Sequence, residues 1–534
     1  MMISRVGALS LFGLVMLAAA CGSSGGDAAP TPPTPDAGTD GALDADETPA
    51  TPVEWTACAL HSEGDGPPAE CATIAVPLDA NDPSGPTLDL FVKRYRPAGG
   101  SGKKALWMLQ GGPGASGYGY ERLAEAIATK FTDIEFYLPD HRGTGRSARI
   151  GCAAEKEKTA AGIYITPAEW PKCLAEVQAT VGDRLAQFNT TNAANDLGVA
   201  IPRTRREGQP VFVYGASYGT YWAHRYLQLF PRQADGVILD STAPPGISLA
   251  RQDQDADEAA KAFFAVCAKD DFCHGKLGDD PYARAKAVIE SLKTGHCADL
   301  HDTGLPPHVF FRRTFGNFLM NAVQREYIPA FVYRLERCAA GDVDALDHFI
   351  DAQVAAAAAP PGELPKQWGW VLSDNITFSE LWEDPSPTAA DLAAWREALV
   401  AARDVTSGMD ANVGKWPTYP KDAYASAFAV TDTPMLMLQG GLDPATLLRK
   451  AQVMKDHFAG AHQHWIEVPT GTHGILSSST TTAGRSCGTR MMTDFMEAPT
   501  APLDTSCLAD VVAVKFTADA TTAGTLFGTS DLWE

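Results

Sequence analysis

The amino-acid sequence predicts an α/β fold in which a parallel sheet is interrupted by a mostly helical insertion. Short apolar runs that end in turns alternate with helix-forming stretches from residue 88 to Asp240, and similar apolar runs return after residue 433. Such runs are typical of parallel strands that helices cover on both faces. The long segment between these two parts is rich in helix-forming residues, so we assign it to a helical insertion.

The predicted elements follow one another in chain order. Strands are expected at residues 88–95, 105–109, 134–138, 210–214, 236–239, 434–438 and 464–468. Helices are expected at 218–230, between two of these strands, and at 256–268, 281–292 and 390–403 in the insertion. The predicted boundaries are 54–243 for the first part of the sheet domain, 244–432 for a helical lid and 433–534 for the second part of the sheet domain.

Composition limits the classes of function. The 534 residues are 45 % apolar, with 43 basic and 65 acidic residues and a net charge of −22. The apolar fraction is sufficient for a large core and argues against a disordered chain. Nucleic-acid binding is not expected, because the chain lacks the excess of Lys and Arg that displaces counterions from phosphates. The same acidity argues against electrostatic adhesion to an anionic membrane.

Residues 1–21 have the pattern of a secretory signal peptide. Arg5 precedes an uncharged stretch at 6–20, which is too short for a comfortable membrane span. Small residues precede Cys21, an arrangement that resembles a bacterial lipobox and implies cleavage before Cys21 and attachment of lipid to it. The alternative is a plain signal peptide with an incidental cysteine. Residues 22–53 are small, polar and acidic and contain no aromatic residue, so we expect a disordered tether.

The cysteines indicate an exported, disulfide-bonded protein. Of the eleven cysteines, ten remain when Cys21 is set aside, which is an even number in a chain predicted to leave the reducing cytosol. The connectivity is open, and pairing of chain neighbours is the simplest expectation: Cys58 with Cys71, Cys152 with Cys173, Cys267 with Cys273, Cys297 with Cys338, and Cys487 with Cys507. The alternative is a metal site at His296, Cys297 and His301. No CxxC pair accompanies those residues, so we predict no metal.

The segment 215–219 has the pattern G-x-S-x-G between a predicted strand and a predicted helix. In this context a sharp turn holds the serine in a strained conformation with its hydroxyl exposed. We therefore predict that Ser217 is a nucleophile. The competing interpretation is an ordinary Gly/Ser turn at a strand end.

A serine nucleophile requires a base and an acid that orients the base. In this architecture the acid and then the histidine follow the serine along the chain. Asp443 follows the apolar run 434–438 and a glycine turn, and His473 lies between glycines after the run 464–468. Asp432 is a rival acid, but it precedes its strand, while His462 and His464 fall on one face of a strand. We predict the triad Ser217, Asp443 and His473.

Another glycine turn, Gln110 to Gly114, follows the strand predicted at 105–109. Glycines at such a position let backbone N–H groups point at a developing oxyanion. We predict that Gly112 and Tyr218 supply these N–H groups. The alternative is a tight turn with no role in chemistry.

These residues resemble the α/β-hydrolase fold, and more narrowly the bacterial prolyl iminopeptidases and tripeptidyl aminopeptidases. The similar stretches are 70–72, 76–79, 111–114, 116–117, 140–147, 215–221, 439–444 and 471–474. The tail bounded by Cys487 and Cys507 is similar to the C-terminal region of the tripeptidyl aminopeptidase group. The resemblance implies an α/β-hydrolase sheet with a helical lid, and a peptidase that needs no cofactor.

The sequence departs from that family at two places. Gln110 stands where prolyl iminopeptidases usually have His and the tripeptidyl group usually has Pro. In the insertion, residues 376–380 resemble a family stretch with a Cys–small–Glu pattern, but Phe378 replaces the cysteine. The resemblance implies that Glu380 binds a substrate's free amino group. A solvated acid is the alternative, and Glu383 and Asp384 are nearby competitors.

The residues and the resemblance together predict an exported, lipid-anchored serine hydrolase that releases an amino acid, a proline or a tripeptide from peptide N-termini. Its expected partners are peptides with a free N-terminus, with no nucleic acid, and with the membrane contacted only through the lipid anchor. The helical lid is expected to limit access to chain ends. An esterase or lactonase acting on small acyl substrates is the alternative, because it uses the same triad. A catalytically inactive binding lipoprotein is disfavoured by the intact triad.

Overall fold

The computed structural model describes residues 52–156, 165–358 and 367–534. The predicted signal peptide, Cys21 and the predicted tether up to residue 51 lie outside these residues. Across the described ranges, no helix is long and apolar enough to cross a membrane.

Within these ranges, nine strands form one sheet with the order β1-β2-β3-β5-β4-β6-β7-β8-β9. The strands are β1 Thr56–Ala59, β2 Pro68–Pro77, β3 Thr87–Tyr95, β4 Lys104–Leu109, β5 Ile134–Pro139, β6 Val211–Ser217, β7 Gly236–Thr242, β8 Met435–Gly440 and β9 Gln463–Val468. The pairs from β1 through β3 to β5 are antiparallel, and all pairs from β5 through β4 to β9 are parallel. The predicted parallel sheet is confirmed and carries an antiparallel edge.

Helices cover both faces of the sheet and fill the insertion. Outside the insertion they are α1 Glu121–Ala128, α2 Ala153–Lys156, α3 Trp170–Thr180, α4 Thr190–Thr204, α5 Tyr218–Leu229, α14 Leu448–His457, α15 Ile475–Ser478, α16 Cys487–Glu497 and α17 Ala520–Phe527. In the insertion they are α6 Gln252–Cys267, α7 Asp271–Leu277, α8 Pro281–Lys293, α9 Pro307–Phe318, α10 Ile328–Arg337, α11 Ala340–Ala358, α12 Trp370–Glu380 and α13 Ala389–Glu397.

Alternate residues of the central strands enter two different cores. In β6, Val211 and Val213 pack into the core on one face of the sheet, and Phe212 and Tyr214 pack into the core on the other. All four are almost completely buried. Because both faces are covered, the strand reads as a continuous apolar run, which is why the sequence pattern located it.

The sequence prediction missed β1 and β2 and extended one helix too far. β1 and β2 belong to the antiparallel edge. None of the four residues of β1 is buried, and exposed and buried residues alternate in β2, so no long apolar run marks either strand. The helix predicted at 390–403 ends at Glu397, because the N–H groups of Val400 and Ala401 donate to the carboxylate of Asp257 in α6. A tertiary contact therefore ends this helix.

The insertion has a core of its own, and the C-terminal segment packs into it. Phe527 of α17 contacts Phe331 of α10, with ring centroids 4.7 Å apart. Trp533 is buried in the same core, and its indole N–H donates to the carbonyl of Phe516. The end of the 433–534 segment thus packs against the lid, whereas the start of the same segment supplies the strands β8 and β9 of the sheet.

Five disulfide bonds join the cysteine pairs that chain neighbourhood predicts. They are Cys58–Cys71, Cys152–Cys173, Cys267–Cys273, Cys297–Cys338 and Cys487–Cys507. The alternative metal site loses its thiolate, because Cys297 is bonded to Cys338. Within the described ranges, no group of three or more His, Cys, Asp and Glu side chains could hold a metal ion.

Candidate active site

The turn between β6 and α5 holds the predicted nucleophile. Ser217 ends β6 with φ 57° and ψ −128°, a positive φ that is strained for serine. A Cβ on Gly215 would lie 2.1 Å from the carbonyl oxygen of Gly219, and a Cβ on Gly219 would lie 2.1 Å from that of Leu109. Because the obstructing atoms belong to the backbone, both glycines are required for this turn.

The Ser217 side chain does not stabilise the helix that follows it. Ser217 occupies the N-cap of α5 but makes no side-chain capping hydrogen bond. The loop after β4 approaches from the other side: a Cβ on Gly111 would lie 2.9 Å from Cβ and 3.5 Å from Oγ of Ser217. The serine therefore lies between a helix N-terminus and a glycine loop, a position where backbone N–H groups can stabilise negative charge.

Asp443 and His473 are joined by hydrogen bonds. Nδ1 of His473 lies 2.9 Å from Oδ2 and 3.0 Å from Oδ1 of Asp443. Asp443 is fully buried and also accepts hydrogen bonds from the N–H groups of Ala445 and Thr446. Burial raises the pKa of Asp443. The charge of His473 and these hydrogen bonds lower the pKa by more than burial raises it, so the pKa lies below its usual value. The carboxylate therefore stays ionised and orients the imidazole.

The end of β7 ties the histidine loop to the nucleophile. Ser217 pairs in register with Thr242 of β7. The residue before it, Ser241, accepts a hydrogen bond from the N–H of Gly474 at 2.8 Å. Because Gly474 follows His473 directly, these contacts bring the histidine loop to the strand that borders Ser217.

Asp240 is a residue of the site that the sequence analysis did not single out. It is fully buried and accepts hydrogen bonds from the N–H groups of Ile475 and Leu476 and from the hydroxyl of Tyr214. Burial raises its pKa. Asp240 directly follows the apolar run at 236–239, so the argument from strand ends that located Asp443 would also have located it.

The predicted oxyanion donors lie on the two sides of Ser217. Gly112 has a φ of 114°, which favours glycine. Tyr218 is the first residue of α5, where a backbone N–H has no acceptor within the helix. The assignment of these two N–H groups to an oxyanion stays a prediction.

Gln110, the departure from the family pattern, stabilises its own loop. Its Oε1 accepts a hydrogen bond from the N–H of Gly111 at 2.8 Å. A Cβ on Gly119 would lie 2.2 Å from its Nε2, so a larger residue at 119 would require the Gln110 amide to move. The amide group thus acts on the start of the glycine loop.

A segment of the insertion lies directly on the glycine loop. The N–H of Gly369 donates to the carbonyl of Gly114 at 2.8 Å, and Trp368 forms an antiparallel bridge with Ala115. A Cβ on Gly112 would lie 3.1 Å from the ring of Trp368. The lid therefore contacts the predicted oxyanion loop through backbone and aromatic contacts.

Glu380, the predicted amine-binding residue, is already saturated with donors. Its Oε1 accepts hydrogen bonds from the N–H of Thr190 at 2.9 Å and from the hydroxyl of Tyr419 at 2.8 Å. Its Oε2 accepts from the hydroxyl of Tyr221 at 3.2 Å and from Arg225 at 3.4 Å. Glu380 and Arg225 are both buried. A substrate ammonium would therefore have to displace a guanidinium.

The other candidates lie elsewhere. Glu383 pairs with Arg251 at 2.6 Å, and Asp384 is exposed. Asp432 is exposed before β8, at the opposite end of the strand from Asp443. His464 lies near the start of β9, away from the end that leads to His473.

Two families match parts of the chain. The family described as alpha/beta hydrolase fold matches residues 104–266, and the family described as TAP-like protein matches residues 400–507. The first range contains Ser217 and the glycine loop, and the second contains Asp443 and His473.

Three relatives illustrate the range of similar proteins. Serine protease Hip1 of Mycobacterium tuberculosis is 28 % identical over 265 residues, which are 45 % of this chain and 49 % of that protein. Tripeptidyl aminopeptidase of Streptomyces lividans is 28 % identical over 211 residues, 36 % of this chain and 38 % of that protein. Carboxylesterase B of M. tuberculosis is 27 % identical over 398 residues, 68 % of this chain and 72 % of that protein. The chain thus spans about half or less of the first two.

Proposed function

Because the chain belongs to the α/β-hydrolases and carries a TAP-like C-terminal region, we propose that it is a serine hydrolase that releases short N-terminal units from peptides. The observation that carries the proposal is the hydrogen-bonded Asp443–His473 pair, whose loop is bound through Gly474 to the strand that borders the strained Ser217. Two of the similar proteins, a serine protease and a tripeptidyl aminopeptidase, support peptides as the substrate class.

In the proposed mechanism, His473 acts through its Nε2, since Nδ1 faces Asp443. Nε2 takes the proton of the Ser217 hydroxyl while Oγ attacks the scissile carbonyl carbon. The N–H groups of Gly112 and Tyr218 stabilise the oxyanion. His473 then donates the proton to the leaving amine, and the acyl-enzyme that remains is hydrolysed by water in the same way.

Recognition of the free N-terminus is a separate part of the proposal. Glu380 is the residue that the family resemblance implies, and it lies on the lid helix α12 next to the helix that follows Ser217. In the structure its partner is Arg225. Binding of an ammonium by Glu380 requires an exchange of this pair, whereas a purely structural role requires none.

The test compares a free-amino tripeptidyl 4-nitroanilide with its N-acetylated form and with a simple 4-nitrophenyl ester. We expect wild-type protein to cleave the free-amino substrate and to discriminate strongly against the acetylated one. Ser217→Ala protein serves as the control for contaminating peptidases. Equal rates on the free and acetylated substrates would exclude an aminopeptidase.

The alternative function is a carboxylesterase. It is favoured by the long alignment with Carboxylesterase B and by the occupied carboxylate of Glu380. Under this alternative the ester is cleaved and both peptide substrates are not.

We also propose that the protein is exported and that Cys21 carries lipid. The five disulfide bonds support export, because such bonds persist in oxidising compartments. The lipid proposal depends on the sequence pattern before Cys21 alone.

A further inference from the structure

Arg403 carries a positive charge that makes no hydrogen bond or ion pair in the described part of the chain. It lies in the insertion after α13 and is partly exposed. Its Nε is buried without a hydrogen-bond partner, and over the described residues the guanidinium makes no hydrogen bond or ion pair. Its two terminal nitrogens are not among the fully buried atoms without a partner, so they retain contact with solvent.

The segment that carries Arg403 is anchored beside the acid loop. The N–H of Val405, two residues further on, donates to Asp253 in the first turn of α6 at 3.2 Å. The preceding residue of that helix, Gln252, donates to the carbonyl of Ala445 at 3.4 Å. The acid loop and the Arg403 segment are therefore joined through the start of one helix.

The pKa shift of Arg403 is consistent with a position near Asp253 and Asp443. Burial lowers the pKa of Arg403, and the charges of Asp253 and Asp443 oppose that shift. Asp443 itself is fully buried, whereas the side chain of His473 retains 15 % exposure. Arg403 and His473 thus reach solvent close to the same buried carboxylate.

The acid next in sequence to Arg403 is committed to other cations. Asp404 is buried and pairs with Arg313 at 3.4 Å and with Arg312 at 3.7 Å. Burying part of a cation without a directly paired counter-charge is unfavourable. Among the described residues no carboxylate forms an ion pair with Arg403, so the guanidinium is open to a carboxylate from a bound ligand.

A second buried cation adds to the positive potential near the histidine loop. Arg325 is buried and its Nη2 donates to the carbonyl of Thr470, whereas its Nε and Nη1 have no hydrogen-bond partner among the residues that the structure describes. Burial lowers its pKa to about 10, so it stays charged at neutral pH. Thr470 lies three residues before His473.

We propose that Arg403 binds a carboxylate of the substrate and makes the enzyme selective for acidic peptides. A guanidinium offers two parallel N–H donors to a carboxylate, which gives strong and oriented binding. The chain as a whole carries a net charge of −22 and repels anions, so a local cation beside the catalytic pair is what would admit an acidic substrate. This inference rests on the proposed peptidase function and specifies its substrate class.

Two substrate pairs locate the carboxylate. The first pair consists of free-amino tripeptidyl 4-nitroanilides that differ only by Glu against Gln, placed in turn at each position. The second pair consists of tetrapeptides that end in a carboxylate or in a carboxamide. In wild-type protein we expect kcat/KM to be about 10-fold or more higher for the carboxylate member of one pair, as for other charged hydrogen bonds. The pair that responds identifies the source of the carboxylate.

Variants of Arg403 assign the preference to this side chain. In Arg403→Gln, the ratio of kcat/KM for the carboxylate substrate to kcat/KM for its amide counterpart is expected to be near one. Arg403→Lys is expected to keep part of the preference for the carboxylate substrate. Arg122→Gln is the matched control, because it removes the same charge from a side chain that is 66 % exposed and outside the site. Thermal unfolding and labelling of Ser217 by a fluorophosphonate check that the variants are folded. If Arg403→Gln does not fold, the wild-type ratios and Arg403→Lys decide the question.

Ratios near one for both pairs in wild-type protein, or a ratio that Arg403→Gln leaves unchanged, would overturn the proposal. A failure of the proposed peptidase function is distinguished from a failure of this proposal by ester substrates. If wild-type protein cleaves only esters, 4-nitrophenyl hemisuccinate and 4-nitrophenyl butyrate replace the peptide pairs. The same loss of preference in Arg403→Gln would then support carboxylate binding by an esterase.

Discussion

Replacing Glu380 by Gln distinguishes a structural acid from a substrate-binding one. In the structure, Glu380 and Arg225 have side-chain exposures of 3 % and 1 %. The variant keeps the shape of the side chain and removes the charge. Arg225 then retains Asp422 as its remaining anionic partner, at 3.4 Å and with 40 % exposure.

The expected loss of stability follows from this burial. Removing one partner of a buried ion pair typically destabilises a protein by about 3–5 kcal/mol, because the other charge is left uncompensated. Asp422 offsets part of that penalty, so the Glu380→Gln change should lower the free energy of unfolding by about 3 kcal/mol. A structural role further predicts that the ratio of peptide to ester hydrolysis stays at its wild-type value.

Urea unfolding of the single variants Glu380→Gln and Arg225→Met and of the double variant measures the coupling between the two side chains. We expect the double variant to be less destabilised than the sum of the single variants. Asp384→Asn is the matched control, since Asp384 is an exposed acid on the same segment. An unchanged unfolding free energy with a peptide-to-ester ratio reduced about 10-fold or more would refute a structural role and assign Glu380 to the substrate ammonium.

Four other changes have defined outcomes. Ser217→Ala should lower turnover about 10⁴-fold or more and abolish phosphonate labelling while thermal unfolding is unchanged; residual wild-type turnover would contradict the mechanism. Gly219→Ala places a Cβ 2.1 Å from the carbonyl oxygen of Leu109, so kcat should fall about 100-fold as the turn shifts, and wild-type kinetics would show that the turn is tolerant. Burial raises the pKa of Asp374 from 3.8 to about 7, so between these pH values the folded state holds a proton that the unfolded chain has released. The free energy of unfolding should therefore fall as pH rises through this range. Urea unfolding at several pH values should show a weaker pH dependence for Asp374→Asn than for wild-type protein. Cys21→Ser should move the protein from the detergent phase to the aqueous phase with its activity intact, whereas an unmodified Cys21 in the mature wild-type protein would reject lipidation.

The parallel part of the fold was predictable from sequence because its strands are buried on both faces. The predicted run at 434–438 lies within one residue of the start of β8, and the run at 464–468 lies within one residue of the start of β9. The edge strands β1 and β2 were not predictable in this way, since β1 has no buried residue and β2 is buried on one face only. The end of α13 could not be predicted from sequence either, because the carboxylate of Asp257 in another helix determines it.

The geometry of the candidate site was predictable where backbone contacts and chain order constrain it. The glycines around Ser217 are required by backbone contacts, so the motif and the turn imply each other. Asp443 and His473 follow from their positions at the ends of strands, and the structure joins them by hydrogen bonds. Asp240 follows from the same argument once its strand is located.

The roles of the charged lid residues could not be read from sequence, because they depend on partners far away along the chain. Glu380 has the residue type and family position of an amine-binding acid, yet Arg225, which is 155 residues distant, already neutralises it. Arg403 has no motif around it, yet in the described part of the chain its guanidinium lies near the predicted acid Asp443 and makes no hydrogen bond or ion pair. A buried or half-buried charge is available to a substrate only when no other residue compensates it. Whether a charged side chain is paired depends on how the lid folds. The structure therefore favours Arg403 over Glu380 as the charged residue that is available to a substrate.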